Sequence, residues 1–220
     1  MRQDFPVTAV LDAIEPAVAP FPKASMHELA DDGLRTLFQQ VVACLISVRT
    51  YEEVTMPICR ELFAVAPDPA AMLELGEERL LGIIRKSTFS DRKVGQIIEI
   101  ARRTAEEFGG EIPCDAGVVQ SFHGIGIKCT NLALGIACHE PLVCVDVHVH
   151  RVANRWGYVT TRTPEQTTVA LDTVMPDDQK VRINRLLVPF GKHICTAARP
   201  HCSTCPVLAE CARVGVTASR

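Results

Sequence analysis

The sequence predicts an all-α protein, and three observations support this. Apolar residues recur at intervals of three and four through most of the chain, which is the period of a helix facing a core. Residues that cap or break helices stand at the ends of these runs. Alternation of apolar and polar residues, the mark of a strand, occurs only at 143–149, a stretch too isolated to form a sheet.

The helices of the first half are marked by apolar spacing and by clear stops. A helix over residues 7–18 ends before Pro20 and Pro22. The run 34–46 is apolar on most of its surface, which predicts a helix buried all round. We expect further helices over residues 54–63, 70–75, 77–84 and 91–108, the last one ending at Gly109 and Gly110.

The second half predicts helices joined by tight connections. Asp146 is the expected N-cap of a helix that runs to Trp156, and Thr163 is the expected N-cap of the next helix. Helices over 117–122 and 127–137 are expected on either side of a two-glycine turn, and a last one over 179–190.

Composition places the chain among folded globular proteins. Of 220 residues, 47% are hydrophobic and 22% charged, far from the range of disordered chains. The most apolar run, 41–48, is too short to cross a bilayer, and acidic residues interrupt the N-terminus where a secretory signal would be apolar. We expect a soluble intracellular protein.

The net charge of −3 hides a basic segment at residues 180–220. This segment holds seven Lys or Arg and one Glu, which suggests a local patch for a polyanion.

Cysteine usage predicts a metal centre and not a disulfide framework, because reducing compartments keep thiols reduced. Four of the ten cysteines are separated by six, two and five residues within a 17-residue tail, a set that suits either a [4Fe–4S] cluster or a tetrahedral zinc ion. These are Cys195, Cys202, Cys205 and Cys211. The other six lie among apolar neighbours and are interpreted as small buried hydrophobes.

A second candidate site is the hairpin 122–128, FHGIGIK. Gly124 and Gly126 would let the backbone approach a phosphate, and the amides that open the next helix would point at the anion. Lys128, in the first turn of that helix, becomes an amine nucleophile if shelter from water disfavours its charged form. Asp146 would be held ionised at a helix N-terminus. Each feature has a plainer explanation, a tight turn in one case and two unrelated exposed charges in the other.

The order of these motifs resembles the endonuclease III branch of the helix-hairpin-helix DNA glycosylases, from about residue 34 to 211. The family hairpin, typically Leu-Pro-Gly-Val-Gly-Arg-Lys, matches 122–128 and places the catalytic lysine on Lys128. The family segment Val-Asp-Thr-His matches 145–148, which places the catalytic aspartate on Asp146 and aligns His148. The family spacing of six, two and five residues assigns the four tail cysteines to a [4Fe–4S] cluster.

The resemblance implies two helical domains with a DNA-binding cleft between them. Residues 30–140 would form a six-helix barrel that carries the hairpin, and residues 1–29 with 141–220 would form the cluster domain, with the cluster loop at 195–211. The expected partner is double-stranded DNA that contains damaged bases or abasic sites, contacted by the hairpin glycines, His148 and Lys192. A monomeric, cytoplasmic, DNA-associated protein is expected, at the nucleoid if the source is bacterial.

The activity implied is that of a bifunctional DNA glycosylase and abasic-site lyase of base excision repair, acting on oxidised pyrimidines. Lys128 would attack C1′ of a flipped nucleotide, expel the base and form a Schiff base that eliminates the 3′ phosphate. Asp146 would stabilise positive charge on the sugar and help the lysine lose its proton.

Several residues depart from the family pattern, chiefly where the damaged base is recognised. Arg49 stands where a glutamine usually fills the gap left by the flipped base, and Phe89 stands where a leucine follows a glycine. We expect Phe89 to act from the side of the cleft opposite Arg49; the plainer interpretation of Arg49 is a phosphate contact. His123 replaces the hairpin proline, and Gln120 stands where a glutamate is usual.

Four other functions fit the sequence less well. An adenine-mismatch glycosylase would have a glutamate near Ser47 and no hairpin lysine, and a thymine-mismatch enzyme usually has tyrosine at the lysine position. A cluster-based electron carrier would leave the Lys128 and Asp146 pair without a role. A catalytically weak protein that recognises abasic or distorted DNA remains the main alternative, because the altered wedge residues affect recognition more than lysine chemistry.

Overall fold

The computed structural model describes residues 4–220, which contain eleven α-helices, one short 3₁₀ helix and no strand. The prediction of an all-α fold is confirmed. No helix in this part of the chain is long and apolar enough to cross a membrane. The helices are α1 (Val7–Val18), α2 (Ser25–Asp31), α3 (Leu37–Ser47), α4 (Glu52–Val65), α5 (Pro69–Ile84), α6 (Ser90–Phe108), α7 (Ala116–Ser121), α8 (Ile127–Ala137), α9 (Val147–Trp156), α10 (Pro164–Val174) and α11 (Asp177–His193).

The chain divides into two compact units, one formed by residues 25–140 and the other by the segment up to Ala24 together with 141–220. Helix α2, which the apolar pattern did not reveal, belongs to the first of these units and packs on α3, α4 and α8. Its seven residues bury only three side chains, too few to give a clear helical period. The resemblance had assigned residues 25–29 to the cluster domain, whereas they lie in the 25–140 unit.

Helix α3 is the centre of the 25–140 unit. Every residue from Leu37 to Ile46 is buried, and α4, α6 and α8 pack around the helix. Its N-terminus is closed by a capping box in which Thr36 and Gln39 exchange hydrogen bonds. The buried Gln40 amide donates to the carbonyls of Met26 and Leu34, which ties α2 to this helix.

The other unit has its own core, built by α1, α9, α10 and α11. Trp156 and Tyr158 are nearly fully buried, and each stacks on Phe5 with ring centroids 5.4 and 4.8 Å apart. Cys195, Cys205 and Cys211 pack against this core from the C-terminal segment. The segment between α11 and the C-terminus is therefore attached to a rigid base.

Helix boundaries follow the sequence closely where a residue with special backbone geometry sets them. Gly76 has φ +74°, so the continuous α5 contains two helical pieces, as the separate runs 70–75 and 77–84 predicted. Gly109 ends α6 in a left-handed conformation at the predicted position. Helix α11 extends three residues beyond the expected end at Phe190 and continues through Pro189.

Two cysteines interpreted as buried hydrophobes form a disulfide, Cys114–Cys138, and that interpretation is wrong. Cys114 lies exposed in the connection before α7, and Cys138 lies at the C-terminal end of α8. The folding of α7 back onto α8 brings them together across 24 residues of sequence. Cys44, Cys59 and Cys144 are buried as expected.

The Cys114–Cys138 bond encloses α7, the hairpin and α8, so we expect it to stabilise this segment. Closing a loop of this length contributes about 3 kcal/mol to the free energy of unfolding. A Cys114→Ser/Cys138→Ser variant should unfold at lower urea concentration than the oxidised protein, and its midpoint should not respond to reductant. Alkylation of Cys114 in the folded, unreduced protein, detected by peptide mass mapping, would contradict the bond.

Candidate active site

The hairpin 122–128 is fixed to α6 by side chains on both sides of its turn. Phe122 is buried beneath it, and the Arg103 guanidinium lies 4.8 Å above the Phe122 ring. Gln96 Nε2 donates to the His123 carbonyl at 3.1 Å, and Arg92 Nη2 lies 3.0 Å from His123 Nε2. His123, which replaces the expected proline, therefore serves as an attachment point.

The two hairpin glycines have different reasons to be glycine. Gly124 has φ +93°, and a Cβ there would lie 2.4 Å from Nε2 of Gln96. Gly126, the N-cap of α8, has φ −101°, and a Cβ would have no neighbouring atom within 4 Å. Gly124 is thus required by the fold, whereas Gly126 leaves an open face above the first-turn amides of α8.

Lys128 is the second residue of α8, in the first turn as predicted. Its side chain is exposed, so the expected shelter from water is absent from this unit. The reason is that α8 begins at the outer end of the hairpin, with Gly126 and Ile127 exposed beside it.

Asp146 is the N-cap of α9, as predicted, and lies in the other unit. Its Oδ1 atom accepts hydrogen bonds from the amides of His148 and Val149, both at 2.9 Å. The carboxylate is therefore held at the positive end of the helix dipole. Both amides bind the same carboxylate oxygen, which fixes the orientation of the side chain.

His148 packs tightly against α11. A Cβ on Gly191 would lie 2.7 Å from His148 Nδ1, so the absence of a side chain there makes room for the imidazole. Arg151 Nη2 lies 3.2 Å from the same nitrogen. Burial lowers the pKa of His148, with the neighbouring charges of Arg151 and Lys192 adding to the effect. Asp146 opposes this shift, and the imidazole on balance favours its neutral form.

The segments that carry Arg49 and Phe89 lie side by side in the 25–140 unit. The Thr88 hydroxyl donates to the Arg49 carbonyl at 2.7 Å, and the Thr88 amide donates to Thr50 Oγ1 at 3.1 Å. Arg49 and Phe89 both have left-handed φ, 58° and 60°, and both side chains are exposed. The expectation that they act from opposite sides is wrong, because hydrogen bonds join the two segments directly.

Lys93, on α6, is a polar residue of this region that sequence reasoning missed. It is 3% exposed, and its ammonium donates to the carbonyls of Ile46 and Val48 and to Thr50 Oγ1. Burial lowers its pKa to about 8, so that the ammonium remains the main form at neutral pH. One feature of the sequence could have revealed this role: Lys93 falls within the apolar stripe of an amphipathic helix.

Cys129 also differs from the expectation for a buried hydrophobe. It is half-buried beside Lys128, and its pKa falls to about 7, chiefly through a hydrogen bond with the Cys44 thiol of α3. The positive charge of Lys128 lowers it further. The start of α8 is thus joined to α3 through a pair of thiols.

The four tail cysteines line one hollow, together with apolar residues that include Trp156, Phe190 and Leu208. No three His, Cys, Asp or Glu side chains within residues 4–220 are placed to hold one metal ion. The four thiols therefore share one hollow but are not arranged around a single ion. Burial raises the pKa of Cys205 to about 11, an effect that bound cations would reverse.

Arg155 fixes the backbone at the start of the cluster loop. Arg155 is 9% exposed, and its guanidinium donates to the carbonyls of Cys195, Thr196 and Ala197 at 2.6 to 3.3 Å. It also lies 3.4 Å from Cys195 Sγ. This loop is therefore tied to α9, the helix that Asp146 caps.

The basic segment 180–220 is partly neutralised within its own unit. Lys180 pairs with Asp172 and Asp177, and Arg182 pairs with acidic residues of α1. The formal charge of this segment therefore overstates the positive charge that a polyanion could meet.

Comparisons with known proteins agree on one family. The family model described as "HhH-GPD superfamily base excision DNA repair protein" matches residues 42–176. The chain is 34% identical to endonuclease III of Thermotoga maritima, covering 79% of this chain and 82% of that one, and 31% identical to endonuclease III of Escherichia coli K12, covering 81% and 85%.

Solved structures share the fold at lower identity. Endonuclease III in a trapped covalent intermediate with DNA superposes with a TM-score of 0.79 at 22% identity, covering 97% of each chain. A thermostable thymine-DNA glycosylase has the same TM-score at 18% identity, covering 96% of this chain and 95% of its own.

The hairpin geometry predicts unequal outcomes for its two glycines. Gly124→Ala should reduce the free energy of unfolding by about 2 kcal/mol, because a left-handed φ and a contact with Gln96 both oppose a Cβ. Gly126→Ala should reduce it by only about 0.5 kcal/mol, because a Cβ meets no atom there and the one loss is the poorer N-cap preference of alanine. Urea unfolding of both variants measures the difference; equal losses would contradict the separate roles.

Proposed function

Because the chain belongs to the endonuclease III family, within the HhH-GPD superfamily of base excision DNA repair proteins, we propose that it is a bifunctional DNA glycosylase and abasic-site lyase that removes oxidised pyrimidines. The observation that carries this proposal is an exposed lysine, Lys128, in the first turn of the helix that follows a two-glycine hairpin attached to α6.

The hairpin supplies a site for a DNA phosphate. The first-turn amides of α8 lie at the positive end of its dipole, and Gly126 leaves the approach to them open. A phosphate bound there would place the sugar-phosphate backbone of double-stranded DNA next to Lys128. Lys192, near His148, would contact a further phosphate.

Lys128 is proposed as the nucleophile. Its nitrogen forms a bond to C1′ while the bond between C1′ and the base breaks, and the base leaves with the electron pair and takes up a proton. Opening of the sugar ring gives a Schiff base. Loss of a C2′ proton then expels the 3′ phosphate by β-elimination. Binding of DNA over the exposed side chain supplies the desolvation that the protein alone does not.

Asp146 is proposed to stabilise the positive charge that develops on the sugar and to accept a proton from the lysine. Its orientation is already fixed by two amides of α9, so little reorganisation accompanies the reaction. His148, neutral and packed on Gly191, is proposed to contact DNA at the same end of α9.

Arg49 and Phe89 are proposed to fill the gap left by the flipped nucleotide. Both are exposed at the tips of joined segments, so they form one wedge, defined here as segments 46–50 and 87–89. A guanidinium only donates hydrogen bonds, which favours an orphaned base that presents acceptors, such as guanine through O6 and N7.

The hollow lined by Cys195, Cys202, Cys205 and Cys211 is proposed to hold a [4Fe–4S] cluster. When bound, the cluster would supply a structural centre of high charge that orders the loop between its ligands. Arg155 would secure that loop through its carbonyls, and the loop would present Arg199 to phosphate.

A weaker enzyme that mainly recognises abasic or distorted DNA is the second candidate. The exposure of Lys128 and the altered wedge favour it, because both lower the expected rate more than the expected affinity. The rate of base removal distinguishes the two candidates, because the second one binds DNA but removes bases slowly.

Borohydride trapping tests the nucleophile. The unchanged protein should form a covalent adduct with a duplex that carries an abasic site or thymine glycol, and Lys128→Ala should form none while still binding DNA. Lys86→Ala, an exposed lysine of the same unit, is the matched control and should form the adduct. Asp146→Asn should lose roughly 100-fold in rate yet keep the N-cap and the stability. An adduct with Lys128→Ala would reassign the nucleophile.

Iron content tests the cluster. Protein purified without oxygen should be yellow-brown and contain about four irons per chain. Cys205→Ser should be colourless or insoluble, because metal binding is coupled to folding of the loop. Cys144→Ser, outside the hollow, should retain the iron. One zinc and no iron would contradict the proposal.

Opposite-base preference tests Arg49. Activity on an abasic site should be higher opposite guanine than opposite adenine, and Arg49→Gln should reduce the preference. Arg49→Ala should lower the rate more than the affinity, since the gap loses its filler. If these variants change only the salt dependence of binding, Arg49 is a phosphate contact and not a wedge residue.

A further inference from the structure

We propose that Lys93 is a positioning residue that holds the two segments of the wedge together as one rigid element and thereby sets the rate at which the wedge enters DNA. This inference rests on the proposed function, because it concerns a step that only a base-flipping enzyme performs. The proposal gives Lys93, a buried residue outside the hairpin, a role in inserting the wedge into the damaged DNA.

The first step in the argument is the position of the ammonium. Nζ of Lys93 lies 2.7 Å from the Ile46 carbonyl and 2.9 Å from the Val48 carbonyl, at the C-terminal end of α3. Carbonyls at a helix C-terminus have no partner within the helix and carry the negative end of its dipole. A cation placed there binds the end of α3 more strongly than a neutral donor would.

The second step is the connection from α3 to the other segment of the wedge. Lys93 Nζ lies 3.1 Å from Thr50 Oγ1, and the same oxygen accepts the Thr88 amide at 3.1 Å. The Thr88 hydroxyl in turn donates a hydrogen bond to the Arg49 carbonyl at 2.7 Å. Three hydrogen bonds thus link Lys93 to Thr50, Thr50 to Thr88 and Thr88 to Arg49, and together they span both segments.

The third step is the backbone at the tips. Arg49 and Phe89 adopt φ of 58° and 60°, a region that side chains with a Cβ rarely occupy. Such conformations persist where surrounding contacts determine them and cluster at functional positions. Both residues project their side chains to solvent, at 65% exposure for Phe89, so packing of the side chain itself does not hold them. The chain of hydrogen bonds behind them does.

The consequence is preorganisation. A wedge that enters the base stack must do so in one conformation, because every alternative backbone state of the tips adds an entropic cost to the inserted state. Removing the ammonium releases the end of α3 and Thr50 together. Loss of the ammonium therefore slows insertion of the wedge and flipping of the nucleotide. Lys128, on α8, retains its position at the hairpin.

The test compares Lys93→Met, which keeps the length of the side chain, with Arg102→Met as the matched control. Arg102 lies on the same helix, is exposed and pairs with Glu106 at 2.9 Å. The readouts are single-turnover borohydride trapping on an abasic site in duplex DNA and in single-stranded DNA, which has no stack to enter. Hydrogen exchange of the two wedge segments is measured without DNA.

Lys93→Met should slow trapping in duplex DNA by about tenfold or more and leave trapping in single-stranded DNA almost unchanged. Amides in the wedge segments should exchange faster while the core of α3 keeps its protection. Arg102→Met should match the unchanged protein in every readout. Equal losses on both substrates, or unchanged exchange in the wedge, would overturn the inference and leave Lys93 with a purely structural role.

Thr88→Val is the second variant, used in case Lys93→Met does not fold. It removes only the hydroxyl that bonds the Arg49 carbonyl, at an exposed position. It should also slow trapping in duplex DNA more than in single-stranded DNA, although by less than Lys93→Met does. Equal trapping rates relative to the unchanged protein on both substrates would contradict the proposal. If the unchanged protein traps neither substrate, the proposed function itself fails, an outcome distinct from loss of the split alone.

Discussion

Ile46, near the C-terminal end of α3, is fully buried, and the last carbonyls of this helix need donors that the helix itself does not supply. The ammonium of Lys93 supplies them, at the cost of desolvating a charge. These three acceptors are neutral oxygens, so charge-assisted hydrogen bonds and the helix dipole offset that cost without a carboxylate. The geometry of residues 46–50, and of the segment bonded to them, depends on this one interaction.

Helix α6 positions both candidate elements of the 25–140 unit. Lys93 holds the wedge from one turn of the helix, and Gln96, three residues later, holds the hairpin through the His123 carbonyl. Because neighbouring residues on one helix face share a rigid frame, the spacing between wedge and hairpin is set by the helix itself. The disulfide Cys114–Cys138 closes the hairpin segment from its far side.

The other unit follows the same physical rule with a different residue. Loop carbonyls that follow α11 are satisfied by the guanidinium of Arg155, which is buried on α9. Asp146 caps the N-terminus of that helix, so the cap and the loop attachment share one rigid element. In both units, a long cationic side chain from a helix organises an irregular segment that carries the candidate chemistry.

The sequence by itself determined the all-α class, most helix limits, the caps at Asp146 and Thr163, and the family, because these depend on local spacing and on motifs of adjacent residues. Tertiary structure alone decided which polar groups meet. It joined the segments of Arg49 and Phe89, which lie 40 residues apart, bonded Cys114 to Cys138, left Lys128 exposed and buried Lys93 under α3. Such pairings arise only when helices pack, and a periodic pattern shows which face is buried without showing what lies opposite it.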